Sequence, residues 1–276
     1  MIPLRKRLVL NDPPAAPVGA GTTSGDATGE ELQRHALGAI GAAATPAGEV
    51  DYARLRASAE WARAVESARP LQRVDLRSLG ARSARLAFWV NVYNALVLHG
   101  VVMLGIRRQV GEVPGFFRRV SYRVGGLVLT LDEIEHGILR GNRRRPFGLL
   151  RPFGRRDPRR ALCVDPMDPR IHFALNCGAR SCPPVGVYRA GAMEQQLDLA
   201  ARNFANQEVV LEGPGRIACS KIFRWYRADF DAAGGLAPLL LRYLDEGPVR
   251  AVIAAGVPPC SRWMPYHWAL AHEPAE

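Results

Sequence analysis

Apolar and polar residues alternate with several distinct periods along this chain. Residues 85–103 are the most apolar stretch: Leu86, Phe88, Trp89, Val90, Val92, Tyr93, Leu96, Val97, Leu98, Val101 and Val102 go almost all the way round a helical wheel. A helix apolar on every side belongs in the centre of a domain. Residues 30–68 have a helical pattern with a sparse apolar face at Tyr52, Leu55 and Trp61, and residues 192–206 predict an amphipathic helix. Residues 116–131 alternate around Gly125-Gly126 and predict a hairpin. Residues 236–244 and 249–255 predict surface helices, 208–211 a short strand, and 263–270 a final strand. In residues 168–176, Ile171, Phe173 and Leu175 alternate with His172, Ala174 and Asn176, which predicts a strand ending at the turn Cys177-Gly178.

Residues 1–30 contain almost no large apolar side chain after Leu10, so they cannot offset their ordering entropy. They are expected to form a disordered arm. Residues 31–276 are expected to form one α+β domain, a central antiparallel sheet packed by helices. No apolar run reads as a membrane span, and the N-terminus lacks the apolar core of a signal peptide. The five cysteines are odd in number in a chain of 276 residues. That argues against a secreted disulfide framework and for a cytoplasmic protein.

The net charge is +11, yet Lys6 and Lys221 are the only lysines among 37 basic residues. Such arginine bias is the codon signature of a GC-rich, bacterial genome, so the charge does not argue for nucleic acid. It makes Lys221 conspicuous, because an ammonium and a guanidinium differ in geometry.

Candidate chemistry gathers in residues 131–140 and 168–184. Thr130 and Glu133 have capping-box spacing. Glu135 falls on the apolar stripe of Leu131, Ile134 and Ile138, where a carboxylate is costly without a partner, and a histidine is the natural one. His172 precedes Cys177 and Cys182. These residues suggest a catalytic triad of Cys182 as nucleophile, His172 as base and Glu135 as orienter. Cys177 is the competing nucleophile. Asn91 and Asn94 share a helix face; they either bond neighbouring backbone or help orient a catalytic group. His136 stands beside Glu135 as a further polar candidate, and His99 reads as structural. The arginine-rich residues 140–160 read as a solvated loop, with a lid or anion-attracting rim as the alternative.

The segments 88–99, 131–140, 168–183 and 220–226 together resemble the family called domain of unknown function 547, over a span from about residue 50 to the end. Members of that family occur in plants beside leucine-zipper-like segments and in animals joined to glutaredoxin domains. The family usually ends in a Tyr-Asp-Trp-Ser-Leu-like segment; here Tyr266-His267-Trp268-Ala269-Leu270 puts His267 in place of the aspartate.

The order acid, histidine, cysteine is what a circularly permuted papain-like or transglutaminase-like fold would give. The leading expectation is therefore a cysteine hydrolase or acyltransferase acting on a peptide or small amide, without cofactor or metal. Two alternatives stand beside it. One is a thiol-redox or zinc site at Cys177 and Cys182, with His172 and His136 as further zinc ligands, although the spacing matches no standard zinc pattern. The other is a non-catalytic module that binds a partner protein. No membrane partner is expected.

Overall fold

A computed structural model of the chain describes residues 6–12, 24–44 and 52–270. Its centre is α4 (Arg82–Met103), preceded by strand β1 (Leu8–Val9) and helices α1 (Gly25–Ala43), α2 (Tyr52–Ala57) and α3 (Ala59–Glu66). As the all-round apolar pattern predicts, α4 is buried along nearly its whole length. By length and composition it could cross a membrane, so the expectation of no span-like run is corrected. However, 89% of that window is covered by the rest of the fold, which makes it a core helix. Its buried asparagines and the Nδ1 of His99 have partners, whereas His99 Nε2 has none among the described residues. The Asn91 amide donates to Tyr188 O at 2.7 Å and its oxygen accepts from Tyr188 N at 2.9 Å. His99 Nδ1 lies 2.8 Å from the Tyr122 hydroxyl.

After the short helix α5 (Phe116–Arg119) comes the expected hairpin, β2 (Val120–Val124) and β3 (Leu127–Thr130). Gly125 has a φ of +54° and Gly126 of +82°, the left-handed region that a tight hairpin needs and glycine tolerates. β1 adds to β2 in parallel, giving a three-stranded sheet. The arm expected over residues 1–30 is thus partly ordered: Leu8–Val9 form a strand and α1 begins at Gly25. Asn11 is buried, and its amide donates to Ala68 O and Arg123 O. Residues 1–5 and 13–23 of that arm lie outside the described residues.

A second three-stranded sheet follows α6 (Met193–Glu208). It comprises β4 (Val209–Gly213), β5 (Arg216–Cys219) and β6 (Arg262–Trp263), with β4 antiparallel and β6 parallel to β5. Between β5 and β6 run α7 (Lys221–Trp225), α8 (Arg227–Ala232), α9 (Leu236–Tyr243) and α10 (Pro248–Ala254). The fold is α+β as expected. The single central sheet is corrected to two small mixed sheets, because α4 already occupies the centre. The final strand shrinks to Arg262–Trp263 plus an isolated bridge between Ala179 and Leu270.

The segment carrying His172 is also corrected. Residues Pro169–Phe173 form a 3₁₀ helix. Asp168 caps it by accepting from Arg170 N at 3.0 Å, and Pro169 occupies the first helical position. Both sets of the alternating pattern are buried, so the pattern did not mark one inward face.

Candidate active site

Four elements converge on a cavity of about 390 Å³ lined by Tyr93, Glu135, His172, Cys177, Tyr226 and Tyr266, among others. The first is α4, which contributes Tyr93. The second is a π-helix, Glu133–Leu139. The predicted Thr130–Glu133 box starts it: Thr130 N donates to Glu133 Oε2 at 3.0 Å, and Glu133 N donates to Thr130 Oγ1 at 3.3 Å. Its wider register is seen where Arg140 N donates to Glu135 O and Asn142 N to Gly137 O, both at 2.8 Å. π-Turns are rare and recur at functional sites.

The π-helix holds Glu135 inside the protein. Its carboxylate accepts from the Tyr226 hydroxyl at 2.6 Å and the Tyr93 hydroxyl at 3.0 Å. Burial alone would raise its pKa. Nearby His136, the Tyr226 hydrogen bond and Arg140 outweigh that and hold it below the ordinary value, so Glu135 is a carboxylate. His136 lies 3.3 Å from Glu135 and 3.0 Å from Arg140 Nη1. A guanidinium can only donate, so His136 Nδ1 accepts that bond. Burial pushes His136 down to about 4; the ring is neutral near pH 7.

The third element is the 3₁₀ helix. His172 Nε2 donates to Asp229 Oδ2 at 2.9 Å, and its ring stacks on Tyr226 with centroids 3.7 Å apart. Asp229, on α8, is 1% exposed and also accepts from Arg140 at 2.6 Å and Arg143 at 2.9 Å. The His172 and Arg140 hydrogen bonds overcome its burial and keep it ionised. Burial outweighs the Asp229 hydrogen bond, which acts to raise it, and lowers the His172 pKa. Since Nε2 carries the proton, the lone pair is on Nδ1.

The fourth element is the cysteine loop. Asn94 Oδ1 accepts from Asn176 N and its amide donates to Ala174 O, both at 2.9 Å. Asn176 in turn closes the loop: Gly178 N donates to its oxygen at 2.6 Å and its amide donates to Pro183 O at 2.7 Å. Gly178 has a φ of +90°, a conformation that side chains resist. The loop is tied to the last segment through Arg180 N to Ala269 O at 2.8 Å and His267 N to Ser181 Oγ at 2.9 Å. That pairing brings in Tyr266, whose hydroxyl lies 3.3 Å from Cys177 Sγ and 3.1 Å from Cys182 Sγ. Cys177 N donates to Cys182 Sγ at 3.0 Å. Hydrogen bonds from the Cys182 thiol and the Tyr266 hydroxyl outweigh burial and lower the Cys177 pKa. Burial, then the neighbouring Cys177, raises that of Cys182. That balance favours the thiolate on Cys177 over Cys182.

The expected residues thus share one cavity but not the expected connections. Glu135 does not orient His172; Asp229 does. Glu135 instead bonds two tyrosines. Among the described residues no imidazole is hydrogen-bonded to either sulfur. The Cys182–His172–Glu135 triad is corrected on these grounds. Asn91 ties Tyr188 to α4, outside the cavity. Asn94 acts at one remove, by shaping the cysteine loop. Lys221 starts α7 and does not line the cavity. His267 is exposed and contributes its backbone to the loop, so its departure from the family pattern does not change the cavity wall. Among the described residues no group of histidines, cysteines and carboxylates is arranged to hold a metal ion. Tyr93, Tyr226, Asp229 and Tyr266 were not singled out from sequence. The available signal was their place in or beside the motifs already quoted.

Residues 76–205 match a family model described as "Protein of unknown function, DUF547". This is narrower than the span from about residue 50 to the end that the motifs suggested; Tyr226, Asp229 and Tyr266 lie beyond it. No curated protein and no solved structure matches the chain, so the papain-like arrangement is not shown.

Proposed function

The chain belongs to the DUF547 family, whose description gives no activity, and we propose that its cavity performs cysteine-dependent acyl transfer or hydrolysis with Cys177 as nucleophile. The observation that carries this reading is that Cys177, favoured as thiolate by Cys182 and Tyr266, lines the same cavity as an Asp229-oriented neutral histidine. A thiolate held ready by hydrogen bonds does not require an imidazole to remove its proton. Its sulfur attacks the acyl carbon, forming a thioester as the bond to the leaving group breaks, and the amine or alcohol departs with a proton taken from solvent water. Neutral His172 then takes a proton from the water that cleaves the thioester, and Asp229 stabilises the imidazolium formed. The aromatic walls favour an apolar or aromatic acyl group, a small amide or a peptide side chain.

The test uses a nitrophenyl ester as acyl donor. A burst of nitrophenol, with the acyl mass found on Cys177, is expected. His172→Gln should keep the burst and slow the steady state, whereas Cys177→Ala should abolish both. An acyl group found on another residue, or no acylation at all, overturns the proposal.

A second reading is favoured by the Tyr266 hydroxyl that both sulfurs share. Cys177 could attack a disulfide substrate and Cys182 resolve the mixed disulfide, releasing the substrate as thiols and leaving a Cys177–Cys182 disulfide. Reduction of a small disulfide by the protein, lost in both Cys177→Ala and Cys182→Ala, would favour this reading. Loss of esterase turnover in Cys177→Ala but not in Cys182→Ser would favour the first.

A further inference from the structure

Residues 141–156 contain six arginines and no acidic residue. At the tip stand Phe147, Leu149 and Leu150, which are 84%, 82% and 83% exposed. Single exposed apolar residues need no explanation, but three large ones together on one turn do.

The tip is held in place. Gly148 N donates to Arg145 O at 2.9 Å, closing a tight turn over Pro146 and Phe147. Phe147 has a φ of +61°, an uncommon conformation for an aromatic residue and a cost that local packing does not repay, since the ring faces solvent. Behind the turn, the Asn142 side chain clamps both the N–H and the carbonyl of Phe153 at 2.9 Å. The Phe153 ring packs against Gly137 so closely that a Cβ there would lie 2.5 Å away. The base of the loop is thus anchored to the π-helix while its apolar tip projects.

Around the tip, Arg144, Arg155 and Arg156 are exposed and make no ion pair among the described residues. Beneath Phe147, Arg140, Arg143, Arg144, Arg145 and Arg151 border a hollow of about 420 Å³. Arg140 and Arg143 bond Asp229 there, and Arg145 pairs with Asp132 at 3.1 Å.

We propose that this loop docks on an anionic lipid surface, placing Phe147, Leu149 and Leu150 among the acyl chains and the surrounding arginines among the headgroup phosphates. Charge complementarity selects this occupant. Apolar side chains flanked by cations suit the boundary between acyl chains and anionic headgroups, and guanidinium groups bind phosphate in two-pronged fashion. Pro146 and Phe147 also line the thiol cavity, so docking brings its wall to the lipid interface. This proposal replaces the expectation of no membrane partner and does not depend on the thiol chemistry.

The test is co-sedimentation of the full chain with phosphatidylcholine vesicles and with vesicles containing phosphatidylserine. Binding to the anionic vesicles should be at least about tenfold stronger and should weaken with salt. The triple variant Phe147→Ser/Leu149→Ser/Leu150→Ser should lose at least about tenfold in partitioning with an unchanged circular dichroism spectrum. Leu150→Trp should add tryptophan fluorescence that brominated acyl chains quench. Equal partitioning of the triple variant, or no added quenching in Leu150→Trp, overturns insertion. Self-association of the parent chain, lost in the triple variant without any vesicle binding, would show that a second copy covers the tip and would also overturn it.

Discussion

Replacing Tyr266 by Phe tests the basis of the proposed nucleophile. The change removes one hydroxyl and leaves the ring, which packs against Trp225 and Trp268 at centroid distances of 4.8 and 4.6 Å, so the fold should survive. The lost oxygen lies within hydrogen-bonding distance of both sulfurs. A hydrogen bond to a charged group contributes about 1.5–3 kcal/mol. At about 1.4 kcal/mol per pKa unit, the Cys177 thiolate should become harder to form by roughly one to two units. The thiolate fraction at a pH below both midpoints then falls roughly 10- to 100-fold. A more basic sulfur is intrinsically more nucleophilic and recovers about three- to tenfold of that. The net expectation is a roughly 3- to 10-fold slower alkylation of Cys177 at neutral pH, with the midpoint of the rate profile displaced upward. Iodoacetamide kinetics across pH, with the modified cysteine identified by mass spectrometry, measures both quantities. An unmoved or lowered midpoint would refute the view that the Tyr266 hydroxyl favours the thiolate. Cys182→Ala should also raise the midpoint, whereas Cys182→Ser, which still donates, should do so less.

Stability should fall on the acid side. Burial pushes His99 and His136 from 6.5 down to about 4, so below 6.5 the unfolded chain takes up protons that the native state refuses. Their contribution is complete above pH 6.5 and drains away towards pH 4. Asp132, raised to about 6 by burial, runs the other way between about 6 and 4 and offsets one histidine; lowered His172 adds to the loss. The unfolding free energy from urea titrations should therefore drop between pH 6.5 and 5 by ~1.4 kcal/mol per pH unit, and a flat profile would contradict this. Asn94→Ala leaves the Ala174 carbonyl and the Asn176 N–H without partners, at about 1–3 kcal/mol each; urea unfolding checks the loss, and the Cys177 alkylation midpoint should rise as its loop loosens. Gly137→Ala drives a methyl into the Phe153 ring, and overpacking of this kind costs about 1–3 kcal/mol. Phe153→Leu should recover part of that loss in thermal unfolding.

Local signals in the sequence were faithful where structure is decided locally. The all-round apolar run became α4, Gly125-Gly126 became the hairpin turn, and Thr130 with Glu133 became the cap of its helix. Alternation failed at residues 168–176 because a period of two reports a face only when the other face meets water, and here both are buried. The better cue was Asp168-Pro169, a capping residue followed by the residue that best tolerates a first helical position.

The site divides along the same line. A carboxylate on an apolar stripe predicts that something must hold it, and Glu135 is indeed held. What holds it is a matter of tertiary approach: Tyr93 and Tyr226 are 42 and 91 positions away along the chain. A histidine would have satisfied the same requirement, and His172 found its carboxylate on α8 instead. Tyr266 reaches the sulfurs because its segment is tied to the cysteine loop through residues 267 and 269 and to β5 and Arg108 through Met264 and Leu270. Sequence can therefore nominate the groups that need partners, through the cost of burying them alone. The pairing is decided by which elements α4 brings together. This is why the thiols, the acid and the histidine were all named from sequence while three of the four tyrosine and aspartate groups that connect them lie outside the matched family segment.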